Sequence, residues 1–307
     1  MNKKLKIVFM GTPEFAVPML DILLHSQHEI VGVITAPDKP AGRGMQLSES
    51  DVKKYALAHG LHLLQPEKLK NEGFLSDLRS LNADLFIVVA FRMLPVVVWD
   101  MPPLGTVNLH ASLLPNYRGA APINWALING EKETGMTTFK LQQEIDTGQI
   151  ILRDKIAIRD DETVGELYHE LMDIGKKVLL KTVDAIASGD YELLPQDHIT
   201  DVRHAPKIFK ETCRIDWGKD AATIYNLVRG LSPYPAAWTM LQGKTLKIYT
   251  CEKQAEAHHK ATGEIETDGK TYLRYSCADG YIIVKDMQLE GKKRMKVDEF
   301  LRGYKHS

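Results

Sequence analysis

Residues 83–91 read ADLFIVVAF, near-continuously apolar after Asp84 and rich in β-branched side chains. So short and apolar a run is expected of a strand buried on both faces, the kind found in parallel sheets covered by helices. Outward from it the pattern repeats. TVNLHAS (106–112) follows a Pro-rich loop as a second strand, and LKIVFMG (5–11) and EIVGVITAP (29–37) precede it as two more. Helical periodicity separates them over Val17–Leu24 and over DVKKYALAHG (51–60), where Gly60 supplies the stop. Downstream, GAAPINWALINGE (119–131) reads as a crossover helix, MTTFKLQ (136–142) as a strand, and residues 162–189 as a long amphipathic helix ending at Gly189. Strands alternating with helices predict an α/β fold with a doubly wound, mainly parallel sheet over residues 1–189.

The pattern then changes. Residues 190–206 have few periodic runs and read as a linker. Within 207–307 a short helix (219–231) precedes five strand-like runs, at 236–242, 244–251, 263–268, 271–276 and 281–287, separated by turn signals. This predicts a second, smaller domain, a β-barrel of the oligonucleotide-binding type. From Pro206 onward there are 18 Lys and Arg against 13 Asp and Glu, and the remainder carries 21 against 27. A basic tail domain on an acidic body fits a polyanionic partner; the bland alternative is a chance surplus on a solvated surface.

Length and composition bound the rest. The chain has 307 residues, 44% hydrophobic and 26% charged, which excludes a disordered or collagen-like protein. No apolar run reaches the roughly 18 residues of a membrane helix. Glu14 interrupts any signal-like segment. Cys213, Cys251 and Cys277 are odd in number and far apart, which argues against a disulfide framework or zinc site and for a reducing, cytoplasmic setting.

The first strand turns through GTPEF, not G-x-G-x-x-G, and no G-x-x-x-x-G-K-[ST] occurs, so a dinucleotide or P-loop enzyme is disfavoured despite the layout. The densest polar cluster is NLHASLLPNYRGAAPI (108–123). Strand alternation puts Asn108 and His110 on one face and Leu109 on the other. An amide donor and an imidazole at the carboxyl end of a strand suit acyl transfer, with Asn108 on a developing oxyanion and His110 moving a proton. The competing reading is a buried polar pair satisfied by backbone. EIDTGQIIL (144–152) places Asp146 in a loop between strands, either as a plain turn or as the carboxylate that orients His110. A single Asp-Thr-Gly on an α/β pattern excludes an aspartic protease, which needs two coupled aspartates. The loop APDKPAGRGMQLSES (36–50), with Lys39 and Arg43, is either floppy or an arm closing on an anion.

With MGTPEFAVP, APDKPAGRGMQL, NLHASLLPNYRGAAPINWAL and EIDTGQIIL in place, the chain resembles the methionyl-tRNA formyltransferases along essentially its whole length. NLHxSLLPxxxG with a later DTG is shared by all folate-dependent formyltransferases; GTPEF, the PAGRG loop and RGAAPI are more particular. The resemblance implies a Rossmann-like catalytic domain, an OB-like C-terminal domain, and formyl transfer from the cosubstrate 10-formyltetrahydrofolate to methionine on initiator methionyl-tRNA. It implies no metal, no membrane and a monomer. Asn108, His110 and Asp146 match the catalytic trio, and Ser112, Leu113, Leu114 and Pro115 the folate-contacting turn. Phe91, Arg92 and Leu94 fall in a folate-pocket segment where relatives carry A-[YF]-G-x-[IL]-L-P; Arg92 departs from that pattern and the segment is one residue shorter. Arg43, with Lys39, matches the loop that inserts near the acceptor end of the tRNA. Lys207, Lys210, Lys244, Lys247 and Lys292-Lys293-Arg294 are candidate phosphate contacts. The serious alternative is a formyltransferase acting on an amino sugar nucleotide, whose relatives also carry a C-terminal barrel.

Overall fold

A computed structural model describes residues 3–41, 46–196 and 201–303. The chain forms two compact units. The first comprises Met1–Arg118, Gly135–Ile156 and His169–His204; the second comprises Gly119–Thr134, Ala157–Tyr168 and Ala205–Ser307.

The first unit is built on a seven-stranded sheet. From one edge its strands are Ile150–Ala157, Glu133–Lys140, Thr106–His110, Leu85–Val89, Lys6–Gly11, Glu29–Ile34 and Leu63–Leu64. Five run parallel, and Glu133–Lys140 pairs antiparallel with Thr106–His110. All five residues of Leu85–Val89 are buried, as the apolar run demands. The chain winds from Lys6–Gly11 to one side and returns through Leu85–Val89 to the other, so the switch in strand order lies between these two strands. Ligands of open α/β sheets bind outside the carboxyl ends of strands at such a point. Gly11 ends the first strand there, where an added Cβ would sit 2.7 Å from Ala16 Cβ and 3.1 Å from Val89 O.

The helices follow local sequence signals. Ser50 and Asn71 side chains accept from the N–H groups of Lys53 and Phe74 and cap the helices Asp51–Ala58 and Glu72–Ser80. Gly60 and Gly189 are left-handed just past their helices, as predicted. The 25-residue helix Val164–Ser188 contains Gly175, whose missing side chain leaves room for Met19 and for Leu109, 3.4 Å from where its Cβ would be. Leu109 therefore points toward that helix, and Asn108 and His110 point the other way.

Residues 36–50, read as an irregular arm, contain a short antiparallel pair, Lys39–Ala41 with Gln46–Ser48. The last residues before the second unit are also more structured than a linker. Leu194 exchanges two backbone hydrogen bonds with Ile150, at 2.8 and 2.9 Å.

The second unit carries an antiparallel sheet in the order Ala237–Leu241, Lys244–Ala255, Gly280–Leu289, Leu273–Cys277, Ile265–Thr267, with Met295–Lys296 added beside Gly280–Leu289. Lys244–Ala255 is 12 residues long, and its register against Gly280–Leu289 shifts on both sides of Thr250. Such irregularities bend a strand and let the sheet curl. The result is an open half-barrel, with Ala237–Leu241 and Ile265–Thr267 at its edges. The helix Ala221–Leu231 lays Ile224, Val228 and Leu231 against Leu246, Ile248, Ile282, Val284 and Met287.

Candidate active site

Thr106–His110 is the strand that carries the chemistry. Met10, Val88, Asn108 and Phe139 form one cross-strand row on the sheet. Asn108 is the polar member of an otherwise apolar row, only half-buried, and its side chain makes no hydrogen bond among the described residues. An amide in that position is available to a ligand, which the alternative of an internally satisfied polar pair does not provide.

His110 ends the strand and is 7% exposed. Its Nε2 lies 2.8 Å from the carbonyl oxygen of Tyr117. A carbonyl only accepts, so Nε2 carries the hydrogen and donates. Nδ1 is then the ring nitrogen that faces Asp146 Oδ2, at 3.9 Å. That separation is too long for a direct hydrogen bond and is the length of a charge contact or of a gap filled by a third group. Two of the sequence-named trio are thereby brought together, and the third lies on the same strand face.

Three non-glycine residues around this site are left-handed: Ala90 (φ 47°) after the central strand, Tyr117 (φ 63°) and Asp146 (φ 55°). Such outliers gather where the surroundings over-determine them, commonly at functional sites. Gly148, two residues past Asp146, admits no substituent, since its Cβ would lie 1.7 Å from Lys140 O.

The turn after His110 is held from inside. Ser112 is fully buried and donates to Asn116 O at 2.7 Å. Its own carbonyl accepts from Thr137 Oγ1 at 2.6 Å, and that hydroxyl accepts from Leu114 N. Leu114 is fully buried against Phe139 and Ile150, its carbonyl accepts from Arg153, and Pro115 follows through a cis bond. Leu113 and Pro115 are half-buried. Phe91 and Leu94 belong to the apolar layer with Val88 and Val98. Arg92 turns its guanidinium onto the carbonyls of Pro66 and Glu67, lies over the Phe91 ring, and has its ordinary pKa lowered by burial. Its Nε is buried without a hydrogen-bond partner among the described residues.

Of the basic candidates, Arg43 lies outside the described residues, and Lys39 is exposed on its short strand. In the second unit, Lys247 pairs across strands with Trp238 on one side and Gln288 on the other. Lys210 and Arg214 each lie 5.7 Å from the Trp238 ring, and Lys207 lies 5.7 Å from that of Phe209, which is 58% exposed. Arg294 covers Tyr249, whose hydroxyl donates to Gln288. Lys210, Lys247 and Arg294 thus share one basic and aromatic face, with Arg294 also paired to Asp286; Lys293 sits instead near Glu299 at 3.7 Å. Arg214 and Trp238 were not singled out in the sequence, although an aromatic between basic residues was the available signal. Among the described residues no group of three or more His, Cys, Asp or Glu is placed to hold a metal ion, and no helix is long and apolar enough to cross a membrane.

The class of protein is formyl transferase, and the family models match both parts of the chain: "Formyl transferase" matches residues 5–183 and "Formyl transferase, C-terminal domain" residues 207–305. The methionyl-tRNA formyltransferase of Bacteroides fragilis is 55% identical over 311 residues, covering 99% of this chain and 96% of that one. The chain belongs to the methionyl-tRNA formyltransferase family. Among solved structures, an N-formyltransferase from Helicobacter canadensis in complex with folinic acid and dTDP-3-aminofucose has the same fold (TM-score 0.66, 21% identity, 91% of this chain and 98% of that one). HypX from Aquifex aeolicus in complex with tetrahydrofolic acid also shares it (TM-score 0.66, 20% identity); it covers 99% of this chain, which spans about half, 49%, of that longer one.

Proposed function

We propose that this chain transfers the formyl group of 10-formyltetrahydrofolate to the methionine amino group of initiator methionyl-tRNA, as a cytoplasmic monomer with no metal. The observation that carries the reading is the strand Thr106–His110 with its facing carboxylate: an Asn108 amide without a hydrogen bond among the described residues, and a His110 whose ring nitrogen not held by backbone looks toward Asp146.

The acceptor amine attacks as the neutral form. As its nitrogen bonds to the formyl carbon, negative charge develops on the formyl oxygen. Asn108 donates to that oxygen, and His110, protonated on both ring nitrogens for this step, donates from Nδ1, because Nε2 is taken by Tyr117 O. One such donor is typically worth about 3 kcal/mol in a water-poor site. Asp146 keeps the Nδ1 edge oriented and assists removal of the amine proton, directly or through water. The bond from the formyl carbon to the folate nitrogen then breaks, and that nitrogen takes a proton.

Phe91, Leu94 and the half-buried Leu113 and Pro115 border the folate. Ser112 and Leu114 act by shaping the turn, since both side chains are buried inside it. Arg92 acts from behind the pocket, tying residues 90–95 to the Pro66–Glu67 carbonyls. Lys39, Arg43, Lys207, Lys210, Lys247, Lys293 and Arg294 contact tRNA phosphates. The tRNA acceptor is favoured over an amino sugar nucleotide by the 55% identity to the Bacteroides fragilis enzyme.

The test is a formyl-transfer assay offering initiator methionyl-tRNA, elongator methionyl-tRNA and an amino sugar nucleotide, each with 10-formyltetrahydrofolate. Formylation of the initiator is expected to dominate. Transfer to the sugar nucleotide with none to the initiator overturns the reading.

A further inference from the structure

Asp146 adopts a left-handed backbone in a loop that must be held from outside. Gln196 does the holding. Its Nε2 donates to Asp146 O at 2.9 Å and to Gly148 O at 2.8 Å, one hydrogen to each of the two carbonyls. Its Oε1 accepts from Arg118 Nε at 3.0 Å and from Arg118 Nη2 at 2.7 Å. A side-chain amide has two donor hydrogens and two acceptor lone pairs, so this one is saturated. The loop also meets Lys140 O, against which Gly148 leaves no space. The Asp-Thr-Gly turn is therefore held by both Gln196 and the Lys140 backbone.

The same approach of chain also secures the other partner. Arg203 N donates to Asn116 Oδ1 at 3.1 Å, and Arg203 O accepts from Tyr117 N at 2.6 Å. Tyr117 O is the group that receives His110 Nε2. Leu194 anchors the approach to Ile150. Read from sequence as a linker, this stretch supplies one support to the carboxylate and one to the imidazole.

We infer that Gln196 is a positioning residue for the transfer reaction: it sets the Asp146 carboxylate relative to His110 Nδ1 and touches neither substrate. The inference rests on the role given to Asp146 above. Small displacements of a reacting group lower turnover steeply, by up to about a hundredfold for 1 Å. Gln196 is not among the residues assigned above to folate or tRNA, so its loss is expected to fall on kcat and to spare KM.

The experiment uses the full chain and measures kcat, KM for both substrates and thermal midpoint in Gln196→Met, Gln196→Glu, Asp146→Asn and Asp146→Asn/Gln196→Met. Met removes both ends of the clamp; Glu keeps the acceptor for Arg118 and loses the donors to the loop. Both single Gln196 variants are expected to lose about tenfold or more in kcat, with each KM within about twofold of the parent. The double variant is expected to be no slower than Asp146→Asn alone, because the clamp acts only through that carboxylate. Additive losses in the double variant, a near-parental Gln196→Glu, or losses that follow raised KM and a lowered thermal midpoint all overturn the positioning role. Should Asp146→Asn itself turn over normally, the role of Asp146 falls first and this one with it; normal Gln196 variants beside an inactive Asp146→Asn sink the present inference alone.

Discussion

The carbonyl oxygen of Tyr117 holds His110 Nε2 at 2.8 Å, which leaves Nδ1 as the nitrogen turned to Asp146. A left-handed residue at position 117 and a buried turn behind it decide which atom of the imidazole faces the ligand. The neutral ring is expected as the Nε2–H tautomer in the ligand-free protein. Nitrogen-15 chemical shifts of His110 check this; the Nδ1–H tautomer, which sets the Nε2 lone pair against Tyr117 O, would overturn the hydrogen bond described.

The trio carries a kinetic prediction. Asn108→Ala and Asp146→Ala are each expected to lower turnover by at least about a hundredfold with the fold intact. Steady-state kinetics alongside circular dichroism decide it; near-parental turnover in both would reject the assigned roles.

Gly148→Ala adds a carbon where Lys140 O stands 1.7 Å away, and the obstacle is backbone that cannot swing aside. A stability loss of about 3 kcal/mol is expected, at the upper end of overpacking costs. Denaturant titration measures it. A loss within experimental error would mean the loop is not fastened as described.

Burial pushes the Cys251 thiol up to about 12 from 9.0. The unfolded chain ionises this thiol near its ordinary value, while the folded chain keeps it protonated until far higher pH. Its contribution to stability is therefore complete below about pH 9 and is lost as pH rises toward the folded value, at about 1.4 kcal/mol per pH unit. Unfolding free energies between pH 8 and 11 should fall with pH, and less steeply in Cys251→Ala. Equal slopes would contradict the assignment.

The basic and aromatic face predicts a salt effect. tRNA binding should weaken steeply with ionic strength. Lys247→Ala, at the centre of that face, should reduce the slope of log affinity against log salt by about 0.7–0.9. Arg294→Ala should change it less, because that guanidinium is already paired with Asp286. Filter binding over a salt series distinguishes the two; a larger effect at Arg294 than at Lys247 would reverse the assignment.

The buried central strands and the helices ending near Gly60 and Gly189 were readable because their signals are local: apolar runs at 85–89, glycine stops at 60 and 189, and the alternation that separates Leu109 from Asn108 and His110; the short strand Leu63–Leu64 and the helix Glu72–Ser80 went unread. The second unit was readable as a series of antiparallel strands. Its barrel character was readable too; the register shifts around Thr250 that bend its longest strand show only in the pairing. Arg92 was visible as a departure from the family pattern. Its attachment to the Pro66 and Glu67 carbonyls joins positions 25 and 26 residues apart and left no trace in composition or spacing.

The sequence alone pointed to the reaction class, because Asn108, His110 and the Asp-Thr-Gly turn sit in short motifs that resemble those of the folate-dependent formyltransferases. Tertiary structure alone decided how those groups are aimed. The hydrogen bonds that do so run from Tyr117 O to His110, from Gln196 to Asp146 O and Gly148 O, and from Arg203 N to Asn116. Each has backbone on at least one side, and every residue but proline carries the same N–H and C=O, so side-chain identity cannot disclose which pairs will meet.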